Sequence, residues 1–208
     1  RLRPPYPGPG GANPRYVQMK DLSLHILDIA QNSITAGARH LDLTLTEEAG
    51  QIAFTVTDDG CGMSRALLEQ VSDPFTTTRT TRKMGLGIPL LRMAAEQTGG
   101  SVEITSTEGA GTTLRAVFNA AHIDCPPPGD MGDTLSLLIQ GAPVLEIVYT
   151  RAAHGRRFRL DTAELREQLG PQVSLAQPEV ALWVRDYIRE QEAALHSPEP
   201  RTASGDRP

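Results

Sequence analysis

The sequence predicts an α/β protein of the α+β kind, built from helices and antiparallel hairpins. Segments 40–46 and 52–57 alternate apolar and polar residues, as half-buried strands do. Segments 22–36 and 88–98 instead carry apolar residues at the spacing of a helix face. Short turns rich in glycine separate these segments, so each one reads as a complete element.

The first part of the chain is predicted to contain three helices and four strands. Gly37 is a typical residue for the end of the first helix, and Ser64 is a suitable N-cap for the second. Gly99 closes the third helix. In order, the elements are helix 22–36, strands 40–46 and 52–57, helix 65–71, helix 88–98, and strands 102–106 and 112–118.

A linker at 126–129 leads to a smaller α+β extension. Its predicted elements are a helix at 134–140, a hairpin of strands 144–150 and 156–160, a helix capped by Asp161 that ends at Leu169, and a helix at 179–195. The predicted domains are a disordered Pro/Gly-rich segment at 1–18, a main domain at 19–122, the extension at 123–196 and a disordered tail at 197–208.

Composition excludes several classes of protein. Of 208 residues, 39% are hydrophobic and 22% are charged, which is typical of a soluble globular protein. The net charge of −5 argues against a nucleic-acid partner or an anionic membrane surface. We find no apolar run of the ~20 residues that a membrane span needs, and no secretion signal. Two cysteines, Cys61 and Cys125, make no disulfide framework, so a cytoplasmic location is expected.

The first helix carries a polar stripe on an otherwise apolar surface. Its members follow steps of three and four residues and therefore share a face: Asp21, His25, Asp28, Asn32 and Thr35. The stripe is either the solvent side of an amphipathic helix or part of a site. In a site, the Asn32 amide oxygen suits Mg²⁺. Asp28, one turn earlier, can orient or deprotonate a water molecule or an acceptor hydroxyl.

A second motif, residues 58–62, follows directly on a strand. The Asp58 carboxylate can accept a hydrogen bond from an exocyclic amine, while Gly60 and Gly62 permit a tight turn and the close approach of a flat ring. Alone, the motif is equally typical of an ordinary turn at a strand end.

A third motif, Gly85-Leu86-Gly87, opens the helix at 88–98. Free N–H groups at a helix start bind phosphate, and three cations just upstream can neutralise a polyphosphate: Arg79, Arg82 and Lys83. A lone Gly-x-Gly is also compatible with a flexible exposed loop.

Taken in order, these motifs resemble the conserved boxes of the GHKL ATPase superfamily, which includes gyrase, a heat-shock chaperone, sensor histidine kinases and MutL proteins. The resemblance covers residues 22–118 and rests on segments 28–38, 58–62, 74–78, 85–87 and 109–113. It implies a Bergerat fold, an α+β two-layer sandwich in which a mixed sheet has helices on one face and ATP lies between the layers. The closest resemblance is to a stand-alone sensor-histidine-kinase-like ATPase domain.

The resemblance also implies roles for individual residues. Asn32 would bind Mg²⁺, Asp58 would accept from the adenine amino group, and Thr113 would support Asp58 through water. Asp28 would be the catalytic residue, and residues 76–83 would form the ATP lid. The implied nucleotide-binding residues are Asn32, Asp58, Gly60, Gly62, Met63, Phe75, Thr77, Thr78, Lys83, Gly85, Leu86, Gly87 and Thr113.

Two departures leave the function open. Asp28 stands where hydrolysing members have a glutamate, and Thr35 stands where MutL proteins have an aspartate. The lid resembles that of histidine kinases, but no segment before Met19 resembles their dimerisation hairpin. His25 lies inside the site helix, where a packing or polar-stripe histidine is expected rather than a phosphate acceptor.

The preferred interpretation is an ATP–Mg²⁺-binding, histidine-kinase-like kinase that acts in trans on an unidentified protein partner. The alternatives are an ATP-gated regulator, in the manner of anti-sigma serine kinases, and an ATPase for an assembly step. A monomer or a weak homodimer is expected.

Overall fold

Six strands and six helices lie along residues 21–72 and 87–197, the residues that the computed structural model describes. They are α1 Leu22–Thr35, β1 His40–Glu48, β2 Gln51–Asp58, α2 Arg65–Ser72, α3 Gly87–Gln97, β3 Ser101–Thr107, β4 Gly111–Asn119, α4 Met131–Gly141, β5 Glu146–Ala153, β6 Arg156–Asp161, α5 Thr162–Leu169 and α6 Pro178–His196. Every predicted helix and strand is present. Helix α4 begins three residues earlier than predicted because the Asp130 side chain caps it by accepting from the Asp133 N–H.

All six strands belong to one mixed sheet, in the order β3-β4-β2-β1-β5-β6. Neighbouring strands are antiparallel except β1 and β5, which pair in parallel. The C-terminal hairpin therefore continues the sheet that the first part of the chain begins. The predicted domain boundary at 122/123 stays a prediction, since the sheet spans it.

One face of the sheet carries the core. Leu41, Leu43 and Leu45 of β1 are buried at alternate positions, and strands β2, β4 and β5 repeat that pattern. Buried apolar residues of α1, α3, α4 and α6 complete the same cluster. On the other face, Thr44 and Thr55 are partly exposed. The predicted two-layer α+β class is confirmed.

Two hairpin turns of the same kind fix the register of the sheet. Ala49-Gly50 joins β1 to β2, and His154-Gly155 joins β5 to β6. All four residues have positive φ, the conformation of the two-residue turns that match strand twist. His154 is thereby held at the tip of its hairpin.

The linker predicted at 126–129 caps the first helix. The N–H groups of Leu22 and Ser23 donate to the carbonyl oxygens of Pro127 and Pro128, at 2.9 and 3.0 Å. These N–H groups have no partner within a helix, so the linker satisfies them. Helix α4 follows at once, and its Thr134 hydroxyl donates to the Ser23 carbonyl at 3.4 Å. The start of α1 is thus attached directly to the C-terminal part of the chain.

Among the helices described, none combines the length and the apolarity that crossing a bilayer requires.

Candidate functional site

The polar stripe of α1 is only partly open to solvent. His25 is buried, Asp28 is half-buried, and Asn32 and Thr35 are exposed. The stripe therefore does not form a simple solvent side. Its buried part lies toward α3, because the Asp28 carboxylate touches Gly87 at the start of that helix.

Asp58 lies at the end of β2 with its carboxylate held between α1 and the following turn. It points to the helix side of the sheet, since it lies two residues after buried Val56 and shares its face. The Ser33 hydroxyl donates to Oδ2 at 2.6 Å, and the Gly60 N–H donates to Oδ1 at 2.9 Å. Two neutral donors fix the orientation of a charged acceptor. Ser33 was missed by the sequence reasoning; a polar residue on the apolar side of α1, beside Asn32, was its only signal.

Asp59, the next carboxylate, has a structural role. It accepts from the backbone N–H groups of Arg39 and His40, at 2.7 and 2.8 Å. The N–H of His40, and then that of Arg39, hold the pKa of Asp59 below its usual value. The two adjacent acids therefore have different roles. Asp59 binds the backbone at the start of β1, whereas Asp58 faces the helices.

Glycine is required in the turn after Asp58 for reasons of space. A Cβ atom on Gly60 would lie 3.0 Å from both the Ala36 Cβ and the Asp58 Oδ1. Gly62 has a φ of +63°, and a Cβ there would lie 2.0 Å from the Thr107 carbonyl oxygen. The backbone of this turn therefore packs directly against the end of α1 and the β3–β4 turn.

Met63 is fixed by the edge strand β3, which lies beside the turn. Its N–H donates to the Ser106 hydroxyl at 2.8 Å. Ser106 in turn donates to the Gly111 carbonyl at 3.0 Å and lies 2.9 Å from the Thr112 hydroxyl. A polar row therefore runs from the turn across β3 and β4.

Thr113, expected to support Asp58 through water, lies on the other face of the sheet, so that role stays a prediction. Thr113 is the register partner of Thr57, and their hydroxyl oxygens lie 3.1 Å apart on the face of the sheet opposite Asp58. The register partner of Asp58 is Thr112, which shares its face. Alternation along a strand makes a shift of one residue a change of face, so Thr112 is the threonine that lies beside Asp58.

Gly87 starts α3 and makes a close contact with Asp28. A Cβ atom on Gly87 would lie 1.6 Å from Asp28 Oδ2, so only glycine leaves room for the carboxylate. That oxygen is buried and has no hydrogen-bond partner in residues 21–72 and 87–197. The contact places an unsatisfied carboxylate oxygen at a helix N-terminus, the end that carries partial positive charge.

His25 lies on the same flank of α1 and is only 2% exposed. Its Nδ1 is buried and, within the described ranges, makes no hydrogen bond. Burial lowers the pKa of His25, although the charges of Asp28 and Asp21 act in the opposite direction. His25 is therefore a neutral packing residue, as expected.

The remaining predicted site residues are not among those described. Phe75, Thr77, Thr78, Lys83, Gly85 and Leu86 lie within 73–86, as does the whole predicted lid. Their assignments stay predictions.

Comparison with known proteins gives a family match over the same segment. The family described as histidine kinase-, DNA gyrase B-, and HSP90-like ATPase matches residues 18–122, half of the chain. Among relatives, the sensor histidine kinase ZraS of Escherichia coli (strain K12) is 31% identical over 91 residues, which are 43% of this chain and 19% of ZraS. The sensor kinase CckA of Brucella abortus (strain 2308) is 26% identical over 175 residues, which are 73% of this chain and 18% of CckA.

Two solved structures are also similar. The catalytic domain of histidine kinase ThkA has a TM-score of 0.36 and 22% identity, covering 47% of this chain and 64% of that one. The N-terminal domain of a DNA repair protein has a TM-score of 0.46 and 14% identity, covering 69% of this chain and 53% of that one. The chain spans about a fifth of the length of its kinase relatives. From the family match over half of its residues, the chain belongs to the histidine kinase-, DNA gyrase B- and HSP90-like ATPase family and carries a histidine-kinase-like ATP-binding domain.

Proposed function

We propose that this chain is an ATP–Mg²⁺-dependent, histidine-kinase-like protein kinase that phosphorylates a protein partner in trans. The observation that supports this most is the pair of carboxylates at one end of the sheet. Asp58 is held rigidly by neutral donors, and Asp28 has a buried oxygen without a partner among the described residues. Such groups are typical of a site that a ligand completes.

The residues around Asp58 fit an adenine base. A fixed carboxylate acceptor suits the exocyclic amine of the base. Gly60 and Gly62 form a cradle that side chains would fill. Met63, fixed through its N–H, provides an apolar side chain next to that cradle. Thr112 takes the place first assigned to Thr113.

The residues around Gly87 fit a polyphosphate and its cation. Gly87 begins α3, where free N–H groups favour phosphate oxygens. The exposed amide of Asn32 would be a protein ligand of Mg²⁺, which prefers few protein ligands beside phosphate oxygens and water. Lys83, Gly85 and Leu86 are proposed to complete this region from the lid.

Asp28 is proposed as the group that receives a proton from the acceptor. When bound, ATP supplies the γ-phosphoryl group that the acceptor takes up, with ADP as the leaving group. Asp28 lies one turn from Asn32 on the same flank of α1, so a general base there is adjacent to the metal ligand. Its carboxylate is one methylene shorter than the glutamate of hydrolysing members and is turned toward Gly87.

The acceptor is proposed to lie on another protein. His25, the histidine nearest to the site in sequence, is buried inside α1 and is not available for phosphorylation. The relatives named above are sensor kinases, and this chain corresponds to about a fifth of each.

The proposal is tested with γ-labelled ATP. The purified chain is incubated with labelled ATP, Mg²⁺ and fractionated proteins of its source organism, and labelled bands are identified. We expect a labelled partner with the native chain and at least tenfold less label with Asp28→Ala. Asn32→Ala should preserve nucleotide binding without Mg²⁺ and weaken it with Mg²⁺, as measured by calorimetry. Nucleotide binding without transfer to any fraction would contradict the kinase proposal.

A second candidate function is an ATP-gated regulator. The observation in its favour is the attachment of α1 to the linker, through the carbonyl groups of Pro127 and Pro128. A change at the nucleotide site would reach the C-terminal helices through that attachment. Affinity capture in ADP and in a non-hydrolysable ATP analogue distinguishes the two functions. A regulator should capture a partner in only one nucleotide state, without labelling it.

A further inference from the structure

A pair of histidines lies far from the nucleotide site, where the β5–β6 hairpin meets the end of α6. His154 occupies the hairpin turn, and His196 is the last residue of α6. His154 Nε2 and His196 Nδ1 are 3.2 Å apart, and the ring centroids are 5.1 Å apart. Both side chains are exposed to solvent, His196 by 43%.

The distance between these nitrogens fits a shared metal ion. Zinc binds imidazole nitrogen at about 2.0–2.1 Å with tetrahedral geometry, which separates two ligand nitrogens by roughly 3.3 Å. Without metal, one ring donates a hydrogen bond to the other; a bound ion replaces the shared proton. We propose that His154 Nε2 and His196 Nδ1 form a binding site for a zinc-class divalent cation.

A carboxylate stands behind one of the two rings. Glu47 Oε2 lies 4.0 Å from His196 Nε2, the nitrogen that faces away from His154. Metal-binding histidines usually direct their second N–H to a carboxylate, which fixes the tautomer and leaves the other nitrogen as the ligand. Arg151, only 2% exposed, holds that carboxylate in place through a 2.8 Å ion pair. The carboxylate is therefore near His196 Nε2 but beyond hydrogen-bond distance, so it supplies negative charge rather than a fixed hydrogen bond.

The site opens onto a surface cavity of about 510 Å³. Glu47, Glu48, Gln51 and His154 are among its lining residues. The cavity gives a hydrated cation access to His154, and its two glutamates add negative charge. In residues 21–72 and 87–197 no three His, Cys, Asp or Glu side chains are preassembled as a metal centre. Water and the exposed Glu48 carboxylate are thus expected to complete the coordination.

Imidazole ligands select zinc, copper, nickel and cobalt, whereas Mg²⁺ prefers oxygen. The pair is also remote from the proposed Mg²⁺ ligand. Glu47 pairs with Ile52, six residues before Asp58 on β2, so the two sites lie roughly 20 Å apart along the sheet. A metal at the pair would join the hairpin to the end of α6, where Arg156 already donates to the Ala194 and Ser197 carbonyls.

The test uses the full chain without a polyhistidine tag. Zn²⁺ and Co²⁺ are titrated by calorimetry, and thermal melting is recorded with and without Zn²⁺. We expect one ion per chain and a rise in the melting temperature, because binding to the folded state alone stabilises it. His154→Asn and His196→Asn should each weaken binding at least tenfold and abolish the rise. Mg²⁺ should not compete.

His122→Asn is the matched control. His122 also lies near a carboxylate, with 3.8 Å between its Nδ1 and Asp124 Oδ2, but it has no second histidine beside it. This variant should bind Zn²⁺ like the native chain. The proposal is overturned if both variants of the pair, folded by circular dichroism, bind Zn²⁺ with native affinity. It is equally overturned if the native chain binds no Zn²⁺.

Discussion

The two ends of the sheet use carboxylates in opposite ways. The nucleotide end is the one where β2 ends at Asp58, and the C-terminal end is the opposite one, where β1 ends at Glu48. At the nucleotide end, the described residues hold Asp58 by neutral donors only, and they include no partner for Asp28 Oδ2. At the C-terminal end, Glu47 pairs with buried Arg151 at 2.8 Å, and Asp130 pairs with Arg189 at 2.6 Å. One end leaves negative charge available to a ligand, whereas the other uses it to hold strands and helices together.

A second buried polar contact stabilises the C-terminal part of the fold. Tyr149 of β5 donates to Glu192 of α6, and burial is the main cause that raises the pKa of both groups. Such a contact fastens a helix to a strand. We therefore expect charged residues at the C-terminal end to determine the free energy of unfolding. Charged residues at the nucleotide end should instead determine ligand affinity.

The largest effect is expected for Arg151→Ala. The change removes a buried guanidinium that pairs with Glu47 and donates to the Leu45 and Ala152 carbonyls. We expect a loss of about 3 kcal/mol in the free energy of unfolding, since the change empties a buried site and leaves the Leu45 and Ala152 carbonyls without this donor. Urea denaturation measures the loss. Arg157→Ala, on the exposed edge strand β6, is the control and should stay within about 0.5 kcal/mol. If Arg151→Ala lowered ATP affinity and left the free energy of unfolding unchanged, the proposed difference between the two ends would be wrong.

The next effect is expected for Asp58→Asn. The amide places an N–H₂ group toward either the Ser33 hydroxyl or the Gly60 N–H, both of which donate to the native carboxylate. Calorimetry should show ATP binding weakened by about 1.5–3 kcal/mol, since a charge-assisted hydrogen bond is lost. Asp59→Asn is the matched control because its oxygen can still accept from Arg39 and His40. Equal affinity in the native chain and Asp58→Asn would refute the assignment of the base pocket.

A smaller effect is expected for Gly87→Ala. Its Cβ would occupy the position of Asp28 Oδ2, so the carboxylate must rotate away. We expect a cost of about 1 kcal/mol in stability, typical of mild overpacking. In an Asp28→Ala background the same change should cost nothing. A double-mutant cycle by urea denaturation measures this coupling. A coupling free energy of zero between Gly87→Ala and Asp28→Ala would show that the two residues do not touch.

The smallest effect concerns pH and the pair of Asp130 with Arg189. Burial raises the pKa of Asp130, but the hydrogen bonds from Arg189 and the Asp133 N–H outweigh it, so the pKa is lowered. A lowered carboxyl pKa stabilises the folded state above the unfolded pKa, near 4, and that stability is lost as the pH falls through the folded value. Arg189→Met should therefore cost less than about 1 kcal/mol at pH 7, because the pair is partly exposed. Melts at pH 7 and pH 3 should show that the difference shrinks in acid. If the stability difference between the native chain and Arg189→Met grew in acid, the lowered pKa of Asp130 would be contradicted.

Local elements and turns were predictable from the sequence because their patterns repeat over a few residues. Strict alternation marked β1 and β2, and the Asp161 cap marked the start of α5. The cluster of Asp58, Gly60 and Gly62 was also recognisable, since each residue has a local reason to be in that turn. For residues 73–86, which contain the predicted lid, the assignments rest on the sequence alone.

Contacts between distant elements were decided only by the tertiary structure. The parallel pairing of β1 with β5 joins residues about a hundred positions apart, and no local period encodes it. The roles of Ser33 and Thr112 depend on which face of an element meets Asp58, and a shift of one residue changes that face. The meeting of Asp28 with Gly87 depends on how α1 packs against α3. The sequence by itself therefore determined which chemical groups this protein carries and in which local elements. Only packing decided which of them face each other, because packing energy depends on neighbours that are distant in the chain.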